Sequence, residues 1–569
     1  MILDFQSMGF EVFYPIFPVV VIIISLLALF LIWINRKLFI ALFKDISRNS
    51  LLILILISIV FVLICAFSGL NFKFFNACDS EWRELNAAKN LLSGDRYVFN
   101  QIPDRIVSPL ILAFGFRIFG SDPLVASLLN LFLAVLSIFL VFILAQIVFK
   151  NEKVSLLSSF IYAFTPFTLV FTSLRMGDST TVGFFLLLFV ITAILSFRYH
   201  RLSLHILTLI FFALVSQTKL EYFILIFPYI FCFIIFKEYK HLPLKKIVVL
   251  IILFFLFSFP FFVSNSHFRK SFVSGWCGHP SQTFYDGEIH SYTLPLTGFL
   301  DKIIKFSANA RFSINYLIYD IPTFIRFWFS KALIFVSLLI FLGILFAIKK
   351  YKKETIFILF LFLSISMVYL ADCIFYEERL AIPSFGPIVI FSGFTLSLFL
   401  DKITGRIRKK GLVEIFVAVL ITLVLLSFWY FDFNRPRKLI PYQNYCTTNI
   451  FDDYNHLRDV VNYYKLSPAD SYLIPVHHSE RDILKFLGYE SDCLTDLVKS
   501  DYFQDRQKFL DSFILPISET KNNYFIYTWN CETLGETADI CNFAKENYVK
   551  EKIGEMGGYT IYSLNTKGL

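Results

Sequence analysis

The chain has 569 residues, of which 57% are hydrophobic and 72 are phenylalanine, and it carries a formal net charge of +9. Soluble domains hold roughly 45–50% apolar residues, so this composition excludes an ordinary water-soluble protein. The positive charge sits in short loops between apolar runs, where it reports membrane topology and not a nucleic-acid footprint.

Apolar runs at 14–34, 51–70, 123–149, 154–173, 180–197, 203–217, 220–236, 247–264, 329–348, 355–371, 382–400 and 412–430 predict about twelve membrane-spanning helices. Alternate loops hold Arg36, Lys37, Lys44 and Arg48, then Lys150 and Lys153, Arg198 and Arg201, Lys237 to Lys246, Lys349 to Lys353, and Lys402 to Lys410. That pattern makes their side cytoplasmic. The first run has Asp4 and Glu11 ahead of it and no basic leader, so it reads as a retained anchor with its N-terminus outside. Everything long then lies outside: a loop at 71–122, another at 265–328, and the tail.

The first outer loop is the most informative stretch. Directly after a span it carries Asp79, Glu81, Glu84 and Asp95. From Glu84 onward, Leu85, Ala87, Ala88, Leu91 and Leu92 form a helical stripe suited to lie on the membrane, with Gly94 as its stop. Asp79 and Glu81 are then expected in the turn before that helix, held by it and open to water. The same acids also suit a plain helix start, with Asp79 as cap and Glu81 and Glu84 in the first turn. Pro109 and Pro123 fit the first turns of two short helices lying along the membrane before the third span. Arg105 falls near the interface, where it either meets a ligand or snorkels to headgroups.

Further along, Asp178 stands at the outer start of the fifth span, as its cap or as a second carboxylate. Lys219 and Glu221 lie in a tight outer turn between the sixth and seventh spans, and a lysine on the lysine-poor side suits an anion. The 265–328 loop holds Cys277, His279 and His290, fewer ligands than a structural zinc site uses. Glu377, Glu378 and Arg379 precede a late span punctuated by Pro383 and Pro387. From 432 onward charges are spread throughout, with short apolar strands at 471–475, 524–528 and 559–562 and a helical stretch at 479–487. This predicts an extracytoplasmic α/β domain over 432–569. Cys446, Cys493, Cys531 and Cys541 make an even set there, and oxidised pairs fit an outer compartment.

Taken together, the outer-face residues resemble the GT-C membrane glycosyltransferases, in particular the branch of protein mannosyltransferases and aminoarabinose transferases. The resemblance rests on the acidic start at Asp79, the small residue Ala87, Leu91-Leu92-Ser93-Gly94, Tyr97 and Pro109-Leu110. It continues through Asp178, Thr218-Lys219, and Arg379 with Pro383 and Pro387. Here Ser80 separates Asp79 from Glu81, where that family often has adjacent Asp-Glu.

The resemblance implies a polytopic α-helical membrane protein of the GT-C fold, with a transferase unit at 1–431. It implies transfer of a sugar from a polyprenyl-phosphate donor to a hydroxyl on a glycan, lipid or protein acceptor at the outer membrane face. Asp79 is then the general base, assisted by Glu81, with Asp178 orienting acceptor or sugar and Arg105, Lys219 and Arg379 on the donor phosphate. One displacement inverts the anomeric carbon without a carboxylate nucleophile. No cofactor is required on this reading. A divalent cation held by Asp79 and Glu81 is the alternative, and it goes with transfer of a whole lipid-linked oligosaccharide. A lipid or glycan transporter is the remaining rival, but it would place polar groups at mid-membrane, whereas these charges gather at span ends.

Overall fold

Long runs of leucine, isoleucine and phenylalanine become helices in hydrocarbon because their backbone polar groups must be satisfied within the segment. In the computed structural model, the described residues are 16–44, 46–71, 79–94, 106–165, 168–169, 178–260, 334–371, 378–404 and 450–466, with short pieces of the tail from 471 to 564. The chain begins α1 (Phe17–Ile34), α2 (Arg36–Lys44), α3 (Arg48–Asn71), α4 (Asp79–Leu92), α5 (Val107–Phe119), α6 (Pro123–Phe149) and α7 (Glu152–Phe164). It continues with α8 (Asp178–Tyr199), α9 (Leu202–Thr218), α10 (Ile226–Ile235) and α11 (Leu244–Phe257). Then follow α12 (Ile334–Lys350), α13 (Lys352–Ala371), α14 (Glu378–Ile388), α15 (Ile390–Thr404) and α16 (Ile450–Tyr463).

Among the described residues, Phe17–Ile34, Arg48–Ala66, Pro123–Phe149, Thr180–Tyr199 and Pro383–Lys402 are long and apolar enough to cross a membrane. Val107–Phe119, Leu202–Thr218 and Tyr222–Ile235 are shorter apolar helices. The expected run at 412–430, the 265–328 loop and the four tail cysteines lie outside the described residues.

One local expectation is corrected. Pro123 does not start a short surface helix: it is the first residue of the 27-residue α6, with the Asp122 side chain accepting from the Leu124 amide at 2.7 Å. Proline suits that place because the first helical amide has no intrahelical partner. The late span expected at 382–400 is present as Pro383–Lys402, with a one-residue turn inside it. The turn falls at Val389 between α14 and α15, after Pro383 and Pro387 have each removed a rung of the α14 ladder.

The basic turns meet at one end of the bundle. Glu152, at the start of α7, accepts from the Ser47 amide at 2.9 Å and from its hydroxyl at 2.6 Å, joining the α2–α3 turn. Arg198 donates to the Ile147 carbonyl at 2.8 Å and pairs with Glu354 at 2.5 Å, joining the ends of α8 and α6 to the start of α13. Lys153 meets Asp401 at 2.9 Å, and His200 meets the fully buried Glu238 at 2.6 Å. Because Arg198 and Glu354 are each about three-quarters buried or more, Arg198→Ala is expected to cost roughly 2 kcal/mol, by loss of charged hydrogen bonds. A lowered thermal midpoint of the purified protein in detergent checks this. A midpoint equal to wild type would show the pair to be dispensable.

Close helix contacts depend on small residues, as expected between membrane helices. A Cβ on Gly343 of α12 would run into the Phe391 carbonyl of α15, and one on Gly393 of α15 would run into Ser158 of α7.

In the tail, β1 (Ser471–Ile474), β2 (Leu494–Asp496), β3 (Asn523–Tyr527), β4 (Val549–Met556) and β5 (Tyr559–Leu564) form one sheet in the order β2-β1-β3-β5-β4. β1 is parallel to β2 and β3, while β5 is antiparallel to β3 and β4. Leu457, Val460 and Val461 of α16, Ile526 of β3 and Ile561 of β5 share one core with Leu85 and Ala88 of α4. Leu112, Ala113 and Phe116 of α5 and Val125 and Ala126 of α6 belong to the same core. The tail is therefore packed onto the first loop.

Candidate active site

The end of the bundle opposite the basic turns holds the helix starts and breaks singled out in the sequence. Helix α9 stops at Thr218, Lys219 is extended at φ −157° and ψ 124°, and a 3-10 turn over Leu220–Leu225 leads into α10. This break contains neither glycine nor proline. It is fixed instead by neighbours: the Ile106 amide donates to the Gln217 carbonyl at 2.8 Å, and Gln217 Nε2 donates to the Phe257 carbonyl at 2.7 Å. The start of α5 and the end of α11 thus hold the turn from two sides. Lys219 itself is only 7% exposed. A buried ammonium needs an anionic or strongly polar neighbour, because desolvation penalises its charge.

Helix α4 begins at Asp79, close to the plain helix start and ahead of the start that the apolar stripe alone suggests. Glu81 lies in its first turn, so neither acid precedes the helix. Acids at a helix N-terminus are favoured by the helix dipole, which explains how so polar a segment remains helical. Most of the apolar stripe is buried within the protein, while Leu92 is exposed. Ala87 joins the core of the helical bundle, whereas Leu85 and Ala88 join the core shared with the tail, and Leu91 packs against both.

Glu84, which the sequence offers either as the head of the stripe or as a first-turn acid, is 1% exposed. Its Oε2 accepts from Ser108 Oγ of α5 at 2.6 Å. The signal was present in the sequence: Glu84 stands at positions i−3, i−4 and i−7 from Ala87, Ala88 and Leu91, at the head of the buried stripe. Lys89, half-buried on the same helix, has its ammonium pulled below the ordinary lysine range by desolvation.

Asp178 opens α8 and Arg379 is the second residue of α14. These helices run side by side: the position of a Gly183 Cβ lies 3.7 Å from Pro383 Cα, and Gly386 faces the Leu187 side chain. Their starts therefore share the end of the bundle that carries Lys219. Arg105 lies outside the described residues, immediately before Ile106, and the side chains of Asp79, Glu81, Asp178 and Arg379 do so as well. Among the described residues no group of three His, Cys, Asp or Glu side chains is placed to hold a metal ion.

Residues 103–263 match the family model described as dolichyl-phosphate-mannose-protein mannosyltransferase. That segment runs from α5 to α11 and includes Asp178 and the Lys219 turn. No curated protein matches the chain in sequence. Among solved structures, it is similar to ArnT from Cupriavidus metallidurans bound to undecaprenyl phosphate, with a TM-score of 0.60 at 11% identity over 91% of this chain and 98% of that one. ArnT in the apo state gives a TM-score of 0.56 at 11% identity, covering 90% of this chain and 98% of that one. The archaeal oligosaccharyltransferase AglB from Archaeoglobus fulgidus, in complex with an inhibitory peptide and a dolichol-phosphate, gives 0.53 at 11% identity, over 93% of this chain and 75% of that one. The chain shares its fold with ArnT and AglB.

Proposed function

We propose that the protein is an inverting glycosyltransferase that moves a sugar from a polyprenyl-phosphate donor to an acceptor hydroxyl on the extracytoplasmic membrane face. The observation that carries this reading is the Lys219 turn: a buried lysine at a helix break, braced by α5 and α11, at the end of the bundle away from the basic loops. The basic end is cytoplasmic by the distribution of Lys and Arg, so the Lys219 end faces outward. Nucleotide sugars are scarce on that side, and a polyprenyl donor reaches the site sideways through lipid.

The leaving group is already a phosphate, so the chemistry needs a base and cations. Asp79 takes the acceptor proton with Glu81 beside it, and Asp178 orients acceptor or sugar. Lys219, Arg105 and Arg379 hold the departing phosphate. The likeness to a structure with undecaprenyl phosphate and to one with dolichol-phosphate supports this donor class.

Glycan mass spectrometry of lipid-linked and protein-linked sugars, in cells with and without the protein, tests the reading. Loss of one defined sugar unit is expected, and its mass identifies what is transferred. An unchanged glycan pool would overturn the proposal. Chelation with EDTA is expected to leave transfer by the purified protein intact. If activity vanished with EDTA and returned with Mg²⁺ or Mn²⁺, transfer of a lipid-linked oligosaccharide would replace this reading.

A further inference from the structure

We propose that Glu84 is a positioning residue that locks α4, the helix beginning with Asp79, to the Lys219 turn through Ser108 and the start of α5. The catalytic part of this inference rests on the function proposed above. Two hydrogen bonds make the connection across three elements. Ser108 Oγ donates to Glu84 Oε2 at 2.6 Å, and two residues earlier the Ile106 amide donates to the Gln217 carbonyl at 2.8 Å. Lys219 follows Gln217 by two residues, and Asp79 precedes Glu84 by five, about 7.5 Å along a helix axis.

Packing alone gives no reason for an acid at this position. Glu84 is 1% exposed and Ser108 is 4% exposed, and burying a carboxylate is costly unless it is hydrogen-bonded. The neighbouring stripe positions Ala87, Ala88 and Leu91 are apolar, so a leucine at 84 would continue the stripe. Replacing both partners of a buried polar contact with packed apolar side chains is often neutral or stabilising. What leucine cannot do is accept the Ser108 hydroxyl, and that bond sets where α4 stands relative to α5. Base and phosphate cation must be held in fixed relation, and a displacement of about 1 Å can cost 10²-fold in rate.

The test uses full-length protein in lipid nanodiscs, with Glu84→Leu, Glu84→Gln and Ser108→Ala compared by amide hydrogen exchange over 79–92 and by steady-state transfer. Glu84→Leu is expected to lower kcat about 100-fold, with the donor KM within about twofold of wild type. Exchange in the first turns of α4 should rise about tenfold in the same variant. Glu84→Gln, whose amide oxygen still accepts from Ser108, should stay near wild type in both readouts. Ser108→Ala should move both in the direction of Glu84→Leu and add nothing when combined with it.

A wild-type kcat in Glu84→Leu would overturn the proposal. So would a loss in Glu84→Gln equal to that in Glu84→Leu, which would make the charge itself the active feature. Should Glu84→Leu fail to accumulate, Ser108→Ala decides alone: unchanged exchange and kcat overturn the lock. Should the wild-type protein transfer no sugar, the function proposed above fails, while exchange in α4 still decides whether Glu84 holds it.

Discussion

Asp79→Asn is expected to lower kcat about 10³-fold while leaving donor KM within about twofold, the result for a general base removed without loss of binding. At roughly 1.4 kcal/mol per decade, that is about 4 kcal/mol of transition-state stabilisation. Asparagine is the informative replacement because it separates two roles open to an acid at this place. As a helix cap it equals aspartate, and losing one charge at a helix N-terminus typically costs about 0.3–1 kcal/mol. A purely structural Asp79 therefore predicts normal glycans and normal kcat in the variant. A base predicts loss of the same sugar unit that disappears when the protein is absent, at matched expression. Loss of the glycan in the deletion but not in Asp79→Asn would move the base elsewhere and end the present assignment. Because Asp79 is the first residue of α4 and not part of a loop ahead of it, its backbone is fixed by the same helix that Glu84 anchors to α5.

Much of the bundle was legible because hydrophobic length is a local property. The runs at 123–149 and 180–197 became α6 and α8 nearly residue for residue, and the tight turn at Lys219 was visible as a polar interruption between two apolar runs. Strands β1, β3 and β5 were likewise foreshadowed by short apolar, aromatic segments. Non-local features were not legible. The apolar stripe alone sets the start of α4 too late because Asp79 to Arg83 offers no apolar period, and the helix is held from both sides by residues far away in sequence, including Val460 and Ile561. Strand β4 was missed because Lys550, Glu551, Lys552 and Glu555 disfavour a strand reading. It lies at the sheet edge, where charged side chains are common and discourage further pairing. At the site, residue types pointed to Lys219, whereas Glu84 was passed over because an acid near a helix start is ordinary. Its burial and its bond to Ser108 distinguish it.

Lys219→Met is expected to reduce kcat/KM for the lipid donor by about 10²–10³-fold, comparable to removing one preorganised donor that stabilises developing charge. The argument starts from position. Lys219 is 7% exposed, in an extended residue between α9 and a 3-10 turn, where neighbouring backbone bonds leave the turn little freedom to relax. A cation held that rigidly in a poorly hydrated site interacts with a departing phosphate far more strongly than one in water. Methionine keeps most of the length and apolar volume, so the helix break should survive and the loss should reflect charge. Arginine restores the charge but spreads it over a planar fork, so Lys219→Arg should recover only part of the rate. Binding of polyprenyl phosphate without sugar gives a second readout that needs no turnover: its Kd should weaken in Lys219→Met and recover partly in Lys219→Arg. If Lys219→Met lowers the thermal midpoint but leaves both Kd and kcat/KM at wild-type values, Lys219 serves the fold alone, and the phosphate contact must be sought at Arg105 or Arg379.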